Sequence, residues 1–145
     1  MPEITLRPST IDDKEFVDEL TRKVMQDYVE QTWNSDRKRE EYYHLNRFSL
    51  RSTQIIQING IDVGRVTISR RDDRIIIDDI HVIPEYQSKG IGSHVMRAAL
   101  SEAEKAGVLV ELKVLKVNPA HKLYERLGFH IVCEDQQRYY MKRGK

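Results

Sequence analysis

Two glycines stand one residue apart in residues 87–92, QSKGIG, directly before a long amphipathic run. Glycine lets the backbone take positive φ and approach another group closely, and the first turn of a helix has unpaired N–H groups that can hold an anion. The P-loop and the dinucleotide fingerprint both need glycines at other positions. The segment therefore predicts a phosphate-binding turn in which the N–H groups of residues 89–93 converge on a diphosphate. An ordinary helix start is the alternative.

Three titratable side chains, Asp78, Asp79 and His81, interrupt the apolar run that precedes this turn. Burying them is costly unless they face a solvated cleft or find partners, so they are candidates for proton transfer. Because strand side chains alternate, Asp78 and Asp79 face opposite sides of a sheet unless a bulge intervenes, and His81 shares the side of Asp79. For each of the three, a strand-end role with a local partner is the alternative.

Hydrophobic periodicity predicts the elements that must position these groups. Residues 3–8 alternate as a strand, and Thr10 with Asp13 has the form of a capping box for a helix ending near Tyr28. A second, highly charged helix follows, and then three strands with a hairpin turn at Asn59-Gly60. The remainder is typical of a helix, a strand, a helix and two strands. This order predicts a mixed sheet with helices on its faces.

The composition limits the classes of protein to which the chain can belong. Its 145 residues suit a single domain over residues 1–145, and a net charge of +1 argues against a nucleic-acid binder. It has no run of 18 apolar residues and no apolar leader, so we expect a cytoplasmic protein without a membrane partner. The histidines lack metal-ligand spacing, and the single cysteine, Cys133, is expected to be buried in a strand. We therefore expect no metal site and no cysteine nucleophile.

Two segments of the second half resemble the signatures of the GNAT superfamily of acyl-CoA-dependent N-acetyltransferases. The first signature, Q/R-x-x-G-x-G/A, is matched by Gln87, Gly90 and Gly92. The second is a helix of A-x-x-L-Y-x-x-x-G-F character after an asparagine, and its matching residues are Asn118, Ala120, Leu123, Tyr124, Gly128 and Phe129. The resemblance is strong over residues 75–129, whereas the N-terminal part shares only the element order. It implies an α/β (α+β) fold with a mixed, mostly antiparallel sheet of about seven strands and helices on both faces.

The resemblance also implies that acetyl-CoA is the co-substrate and that its acetyl group passes to a primary amine by direct attack in a ternary complex. A non-catalytic acyl-CoA-binding sensor is the alternative. The pyrophosphate would lie on the amides of residues 88–93, Gln87 would orient the turn, and the pantetheine would pair like an extra strand with residues 80–82. The implied cofactor-binding residues are Ile80, Val82, Gln87, Ser88, Lys89, Gly90, Ile91, Gly92, Ser93 and Asn118.

The same resemblance assigns catalytic roles. Tyr124 would protonate the leaving CoA thiolate, because a phenol keeps its proton at neutral pH; packing in the core is its alternative role. The base for the amine would be Asp79 in preference to Asp78. His81 is a rival base, because its ordinary pKa lies nearest neutrality.

A cluster of aromatic and acidic residues in the N-terminal half is the candidate acceptor site. Tyr28 and Trp33 are the predicted substrate-binding residues, and the glutamates at positions 30, 40 and 41 beside them could hold a cationic amine. Half-buried packing next to a solvated helix face is the alternative. The acceptor class stays open between a small-molecule amine and a peptide amine. Because many GNAT relatives pair as dimers, the resemblance also allows a homodimer.

Overall fold

The order of elements along the chain matches the order predicted from periodicity. The computed structural model describes residues 3–144. Its strands are β1 (Ile4–Pro8), β2 (Thr53–Ile58), β3 (Ile61–Arg70), β4 (Arg74–Val82), β5 (Leu109–Leu115), β6 (His130–Glu134) and β7 (Arg138–Arg143). Its helices are α1 (Lys14–Thr32), α2 (Asp36–Leu45), α3 (Ile91–Ala106) and α4 (Ala120–Arg126), with short 3₁₀ turns at Ile11–Asp13 and Pro84–Tyr86.

Local chemistry sets several of these boundaries. The N–H of Thr10 donates to the Asp13 carboxylate at 2.8 Å before α1, which ends at Thr32, one turn later than the predicted end near Tyr28. The hydroxyl of Ser35 accepts from the N–H of Lys38 and caps α2. The predicted hairpin joins β2 to β3, and both of its turn residues, Asn59 and Gly60, have positive φ.

The seven strands form one sheet in the order β1-β2-β3-β4-β5-β7-β6. Neighbours run antiparallel except β4 and β5, which run parallel. One face packs on α3 through a large apolar core, and the other carries a smaller cluster from α1, α2 and β5 made of Met25, Val29, Tyr42 and Leu115. The predicted fold class, a mostly antiparallel mixed sheet of about seven strands with helices on both faces, is confirmed.

The single parallel pair is short, and the two strands then separate. Pairing joins residues 74–77 of β4 to residues 109–112 of β5 and stops there. Strand β4 continues to Val82 along β3, and β5 continues to Leu115 along β7. The backbone edges that face each other beyond this point are therefore free to pair with something else.

A bulge in β4 lies at the point of separation. Thr67 of β3 pairs with Asp79 and Ile68 pairs with Ile77, so Asp78 is an extra residue without a partner on β3. The extra residue reverses the alternation of side chains along β4. As a result Asp78 and Asp79 share one cleft, which simple strand alternation would forbid.

Strands β3 and β4 approach closely at Gly64, which pairs with Val82. A Cβ atom added at Gly64 would clash with the backbone carbonyl oxygen of His81. Glycine is therefore required at this position by the backbone contact that holds the end of β4 in place.

The prediction that Cys133 is buried is wrong. It lies in a strand, as predicted, but β6 is an edge strand and all five of its residues are exposed. A sequence pattern shows alternation but not which strand ends a sheet. Separately, none of the helices within residues 3–144 is long and apolar enough to cross a membrane.

Candidate active site

A cavity of about 430 Å³ opens where β4 and β5 separate. Its walls come from α1, α2, β4, the turn before α3, β5 and α4, so the chain's two motif-bearing segments and its N-terminal helices meet there. Most of the site residues predicted from the sequence line it. Only Lys89 and Trp33 among them lie outside its lining.

The turn before α3 offers a row of unpaired backbone N–H groups. Ser88 and Gly90 both have positive φ, 61° and 81°, and this alternation turns successive N–H groups to one side. Within residues 3–144, no carbonyl or side-chain oxygen accepts from the N–H groups of residues 88–93. The first internal bond of α3 beyond them runs from the N–H of His94 to the carbonyl of Gly90. This arrangement suits an anion with several oxygens.

Side chains around the turn fix its position. The amide nitrogen of Gln87 donates to the carbonyl oxygen of Val82 at 2.9 Å, which ties the turn to the end of β4. The ammonium of Lys89 lies over the ring of Tyr86, 5.5 Å from its centre. Gln87 is thus in a position to orient the turn, as the resemblance implies, whereas the Lys89 side chain is held over Tyr86 and does not line the cavity.

Asp79 is a nearly buried carboxylate at the centre of the cavity. Only 11% of its side chain is exposed, and the guanidinium of Arg65 lies 3.4 Å away. Burial raises the pKa of Asp79 to about 6, although Arg65 opposes the rise. Because this pKa is higher than in the unfolded chain, the contribution of Asp79 to stability is present in full below about pH 4 and falls as the pH rises to about 6. Its neighbour Asp78 also lines the cavity and accepts from the hydroxyl of Ser69 at 2.8 Å.

Arg65 is completely buried and is held from four directions. Its Nε donates to Nδ1 of His81 at 3.1 Å, and its two terminal nitrogens donate to the hydroxyls of Thr67 and Thr21 at 2.9 and 3.0 Å. Its contact with Asp79 completes the set. Sequence reasoning missed Arg65, although a signal exists, because it is the only charged residue in the segment VGRVTIS, residues 63–69.

His81 is poorly suited to act as the base. Burial lowers its pKa well below the ordinary value, and the charge of Arg65 lowers it further, so the ring stays neutral. Because Nδ1 accepts from Arg65, the proton resides on Nε2, which points toward Asp79 at 3.8 Å. The ring therefore has no free lone pair for an amine proton, and the geometry favours Asp79.

Tyr124 lies on α4 and lines the same cavity. Its ring packs edge-on against Phe129 at 6.0 Å between centres, and its hydroxyl has no hydrogen-bond partner in the part of the chain that the structure describes. Burial raises the pKa of Tyr124 to about 12, and the negative charge of Asp79 adds to the rise. The phenol therefore keeps its proton at neutral pH, and its hydroxyl is available to a ligand in the cavity.

The oxygen and the nitrogen of the Asn118 side-chain amide have different surroundings. Its side-chain oxygen accepts from the N–H of Ala120 at 2.9 Å and caps α4. Its amide nitrogen has no acceptor among residues 3–144, and the residue lines the cavity. Capping the helix and binding a ligand are therefore compatible.

The part of the cavity beside α1 and α2, where the sequence predicts the acceptor and which we call the acceptor end, differs in its residues from the prediction. Tyr28 and Tyr42 line it, but Trp33 instead packs on Tyr42 with ring centres 5.5 Å apart. None of the three predicted glutamates lines the cavity, and Glu40 is paired with Arg22 at 2.8 Å. Two cations that sequence reasoning missed, Lys113 and Arg138, line it instead. Within residues 3–144 no group of three histidine, cysteine or acidic side chains is arranged to hold a metal.

Replacing Arg65 with methionine is expected to lower the free energy of unfolding by about 3–5 kcal/mol at pH 8, because it leaves the ionised Asp79 buried without a counter-ion. Adding Asp79→Asn should recover part of this loss, with a coupling of at least about 1 kcal/mol in a double-mutant cycle. Urea unfolding followed by circular dichroism measures both. Arg70→Met removes an exposed pair with Glu102 and should cost less than about 1 kcal/mol. Additive losses for Arg65→Met and Asp79→Asn would show that the two side chains do not interact.

Comparison with solved structures identifies proteins with a similar fold. The structure is similar to that of the PaiA N-acetyltransferase of Thermoplasma acidophilum in complex with coenzyme A, with a TM-score of 0.78, 17% identity and 99% of each chain covered. It is also similar to Arabidopsis thaliana Naa50 in complex with the bisubstrate analogue CoA-Ac-MVNAL, with a TM-score of 0.69, 18% identity and 98% and 99% coverage. These likenesses concern the fold.

Sequence comparison gives the family. A segment of 76 residues, 51% of this chain, is 38% identical to the streptothricin acetyltransferase of Streptomyces lavendulae and covers 40% of that relative's length. Residues 17–129 match the model of the acetyltransferase (GNAT) family. The chain therefore belongs to the GNAT family of acetyltransferases.

Proposed function

We propose that this chain, as one domain over residues 1–145, transfers an acetyl group from acetyl-CoA to a primary amine by direct attack in a ternary complex. The observation that carries the proposal is that one cavity is lined by the turn before α3, whose N–H groups are unpaired, by Asp79 and by Tyr124. Family membership supports the same reaction class. A homodimer, a cytoplasmic location and the absence of nucleic-acid, membrane and metal partners remain predictions.

Two sets of unpaired backbone groups fit two parts of acetyl-CoA, the pyrophosphate and the pantetheine. The pyrophosphate suits the turn before α3, whose N–H groups lack acceptors and whose helix adds a positive end. The pantetheine amides suit the edge of β4 that faces the gap left by β5, at Ile80 and at the N–H of Val82, since the carbonyl of Val82 already accepts from Gln87. A bound cofactor would in this way take the place of a strand in the gap between β4 and β5.

The reacting end needs two proton movements, and the cavity holds a group for each. Bound acetyl-CoA supplies an acetyl group activated as a thioester. Asp79, with a pKa of about 6, is ionised at neutral pH and accepts a proton from the acceptor ammonium. Tyr124 donates a hydrogen bond to the departing sulfur, and the proton that the attacking nitrogen loses as the amide forms is relayed through the phenol to that sulfur, so that CoA leaves as a thiol. Because the pKa of Tyr124 lies above that of a thiol, near 8.5, the hydrogen bond rather than complete ionisation of the phenol is its main contribution.

Binding of CoA is expected to depend on the backbone shape at Gly90. Coenzyme A at about 100 times its dissociation constant should stabilise the wild type by roughly 2.7 kcal/mol, which raises its melting temperature by several degrees. Gly90→Val should abolish this shift, because a β-branched residue resists the positive φ of 81°. Differential scanning fluorimetry with CoA, acetyl-CoA, ATP and NADH measures the shifts.

Gly107→Val is the matched control for this substitution. Gly107 also has positive φ, 71°, and a Cβ atom added there would meet open space, but it ends α3 far from the turn. It should cost similar stability and keep the CoA shift. A CoA shift that survives in Gly90→Val, or a larger shift with ATP or NADH in the wild type, would disprove the cofactor assignment.

Removing the hydroxyl of Tyr124 should slow turnover without weakening cofactor binding. Tyr124→Phe is expected to lower kcat by about 100-fold, while the dissociation constant for CoA stays within about twofold. Thiol release from acetyl-CoA, with the best amine of a primary-amine panel, gives kcat, and calorimetry gives the affinity. Tyr140→Phe, whose hydroxyl donates to Asp135 outside the cavity, should leave both values unchanged. Equal turnover in Tyr124→Phe would remove Tyr124 from the mechanism.

The pH dependence should report Asp79. A base with a pKa of about 6 is protonated below that pH, so kcat/KM should fall about tenfold per unit of pH below 6. Asp79→Asn should lower kcat/KM at pH 8 by about 100-fold and abolish the fall below pH 6, which is the acidic limb of the pH profile. Asp78→Asn should retain that limb. A limb caused by the acceptor's own ammonium would move when the acceptor is changed. Persistence of the limb near pH 6 in Asp79→Asn would exclude Asp79 as the base.

The same assays separate an enzyme from a sensor. A non-catalytic acyl-CoA-binding module would show the CoA shift and its loss in Gly90→Val, yet release no thiol with any amine. The buried carboxylate of Asp79 and the unpartnered hydroxyl of Tyr124 favour the enzyme, because a binding module has no need to keep either group beside its ligand.

A further inference from the structure

Arg138 is a cation without a partner at the acceptor end of the cavity. It begins β7 and pairs with Leu115 of β5. Its guanidinium stacks on Trp33, 5.4 Å from the ring centre. Across residues 3–144 its side chain has no ion pair and no hydrogen bond. The carboxylate of Asp135 accepts instead from the hydroxyl of Tyr140 and from backbone N–H groups.

Lys113 adds a second positive charge on the same face of the sheet. It lies two residues before Leu115 on β5, and its charge lowers the pKa of Asp79. Its ammonium has no ion-pair partner in the described part of the chain. The nearby Glu111 is instead shared by Arg74 and Lys142, at 3.4 and 3.5 Å.

The carboxylates that line the cavity form no ion pair with these two cations, although Asp79 is close enough for the charge of Lys113 to lower its pKa. Asp78 is hydrogen-bonded to Ser69, and Asp79 lies against Arg65. The acidic residues of α1 and α2 that could have attracted a polycation are outside the lining. The acceptor end therefore has two cations without ion-pair partners, and it favours an anionic group of a ligand over a second cationic group.

We propose that the acceptor is an amine that carries a carboxylate close to its amino group, as an amino acid does, and that Arg138 binds this carboxylate. The inference rests on the proposed function and specifies its substrate class. A guanidinium that lies over an indole ring is restrained by that contact, and its planar donors can bind both oxygens of a carboxylate. The ammonium of Lys113, on the side of Asp79, would attract the same carboxylate.

The dimensions of the cavity fit a small acceptor. Arg138 lies one strand across and two residues along from Lys113, a displacement of about 8 Å at ordinary sheet spacings. A single carboxylate can therefore lie within reach of both side chains, in the same cavity of about 430 Å³ that Asp79 lines. The buried side chains of Met25 and Leu115 also line the cavity, and this apolar lining suits a short hydrocarbon side chain.

The test compares acceptors that differ only in whether they carry a carboxylate. Thiol release from acetyl-CoA is measured with a panel of L-amino acids, each against its carboxamide, and with spermidine as a polycation. The wild type should prefer the best amino acid over its amide by at least about tenfold in kcat/KM. Arg138→Gln should raise KM for that amino acid by about 10- to 100-fold, with kcat within about threefold and the amide unaffected.

Two further variants guard against indirect effects. Arg138→Lys keeps the charge but loses the planar donors, so its loss should be intermediate. Arg37→Gln removes an exposed charge of α2 outside the cavity lining and should change nothing. The CoA-induced thermal shift of Arg138→Gln should equal that of the wild type.

The outcomes distinguish this inference from the function on which it rests. Turnover that is as good or better with amides or spermidine, and insensitive to Arg138→Gln, would overturn the carboxylate proposal and leave the acetyltransferase proposal intact. No thiol release with any acceptor, despite a CoA shift, would overturn the proposed function and this inference together. A selective loss of the amino-acid acceptor in Arg138→Gln supports both.

Discussion

The buried guanidinium of Arg65 is the interaction on which the arrangement of the site depends. A fully buried cation is tolerable only when hydrogen bonds and a counter-charge surround it. Here those partners come from three elements: Thr21 of α1, Thr67 of β3, and both His81 and Asp79 of β4. One side chain thus fixes how α1 lies on the sheet and which way Asp79 faces. It also keeps His81 neutral and in a single tautomer, so that only one group of the network remains available to exchange protons.

The bulge and the divergence of β4 from β5 turn this network into a site. Without the extra residue at Asp78, strand alternation would send one of the two aspartates to the α3 side of the sheet. If the parallel ladder continued beyond residue 77, the edge of β4 would be satisfied and no cavity would separate the turn before α3 from Tyr124. The sheet is therefore incomplete at its centre, and the titratable groups Asp78, Asp79 and Tyr124 line the gap.

Much of the fold and the cofactor end was predictable from local signals. Periodicity gave the order of elements, Asn59-Gly60 marked its hairpin, and the spacing of Gln87, Gly90 and Gly92 predicted the turn, because each signal depends on neighbours in the chain. The acceptor end was not predictable in this way. Arg138 meets Trp33 only after β7 pairs with β5, and Arg65 becomes buried only when α1 covers β3. The exposure of Cys133 likewise depends on β6 being an edge strand. Such contacts arise from tertiary packing, and single-sequence patterns do not contain them.

The shortness of the parallel pair has a mechanical consequence. Four residue pairs are the only backbone ladder between the four N-terminal strands and the three C-terminal ones within residues 3–144. Backbone hydrogen bonds therefore join the two groups of strands at one end of β4 and β5 only, and beyond residue 77 side-chain packing holds them together. A ligand that pairs with the free part of β4 would add backbone hydrogen bonds at the other end. The bound ligand would then make the junction between the two groups of strands stiffer than packing alone makes it.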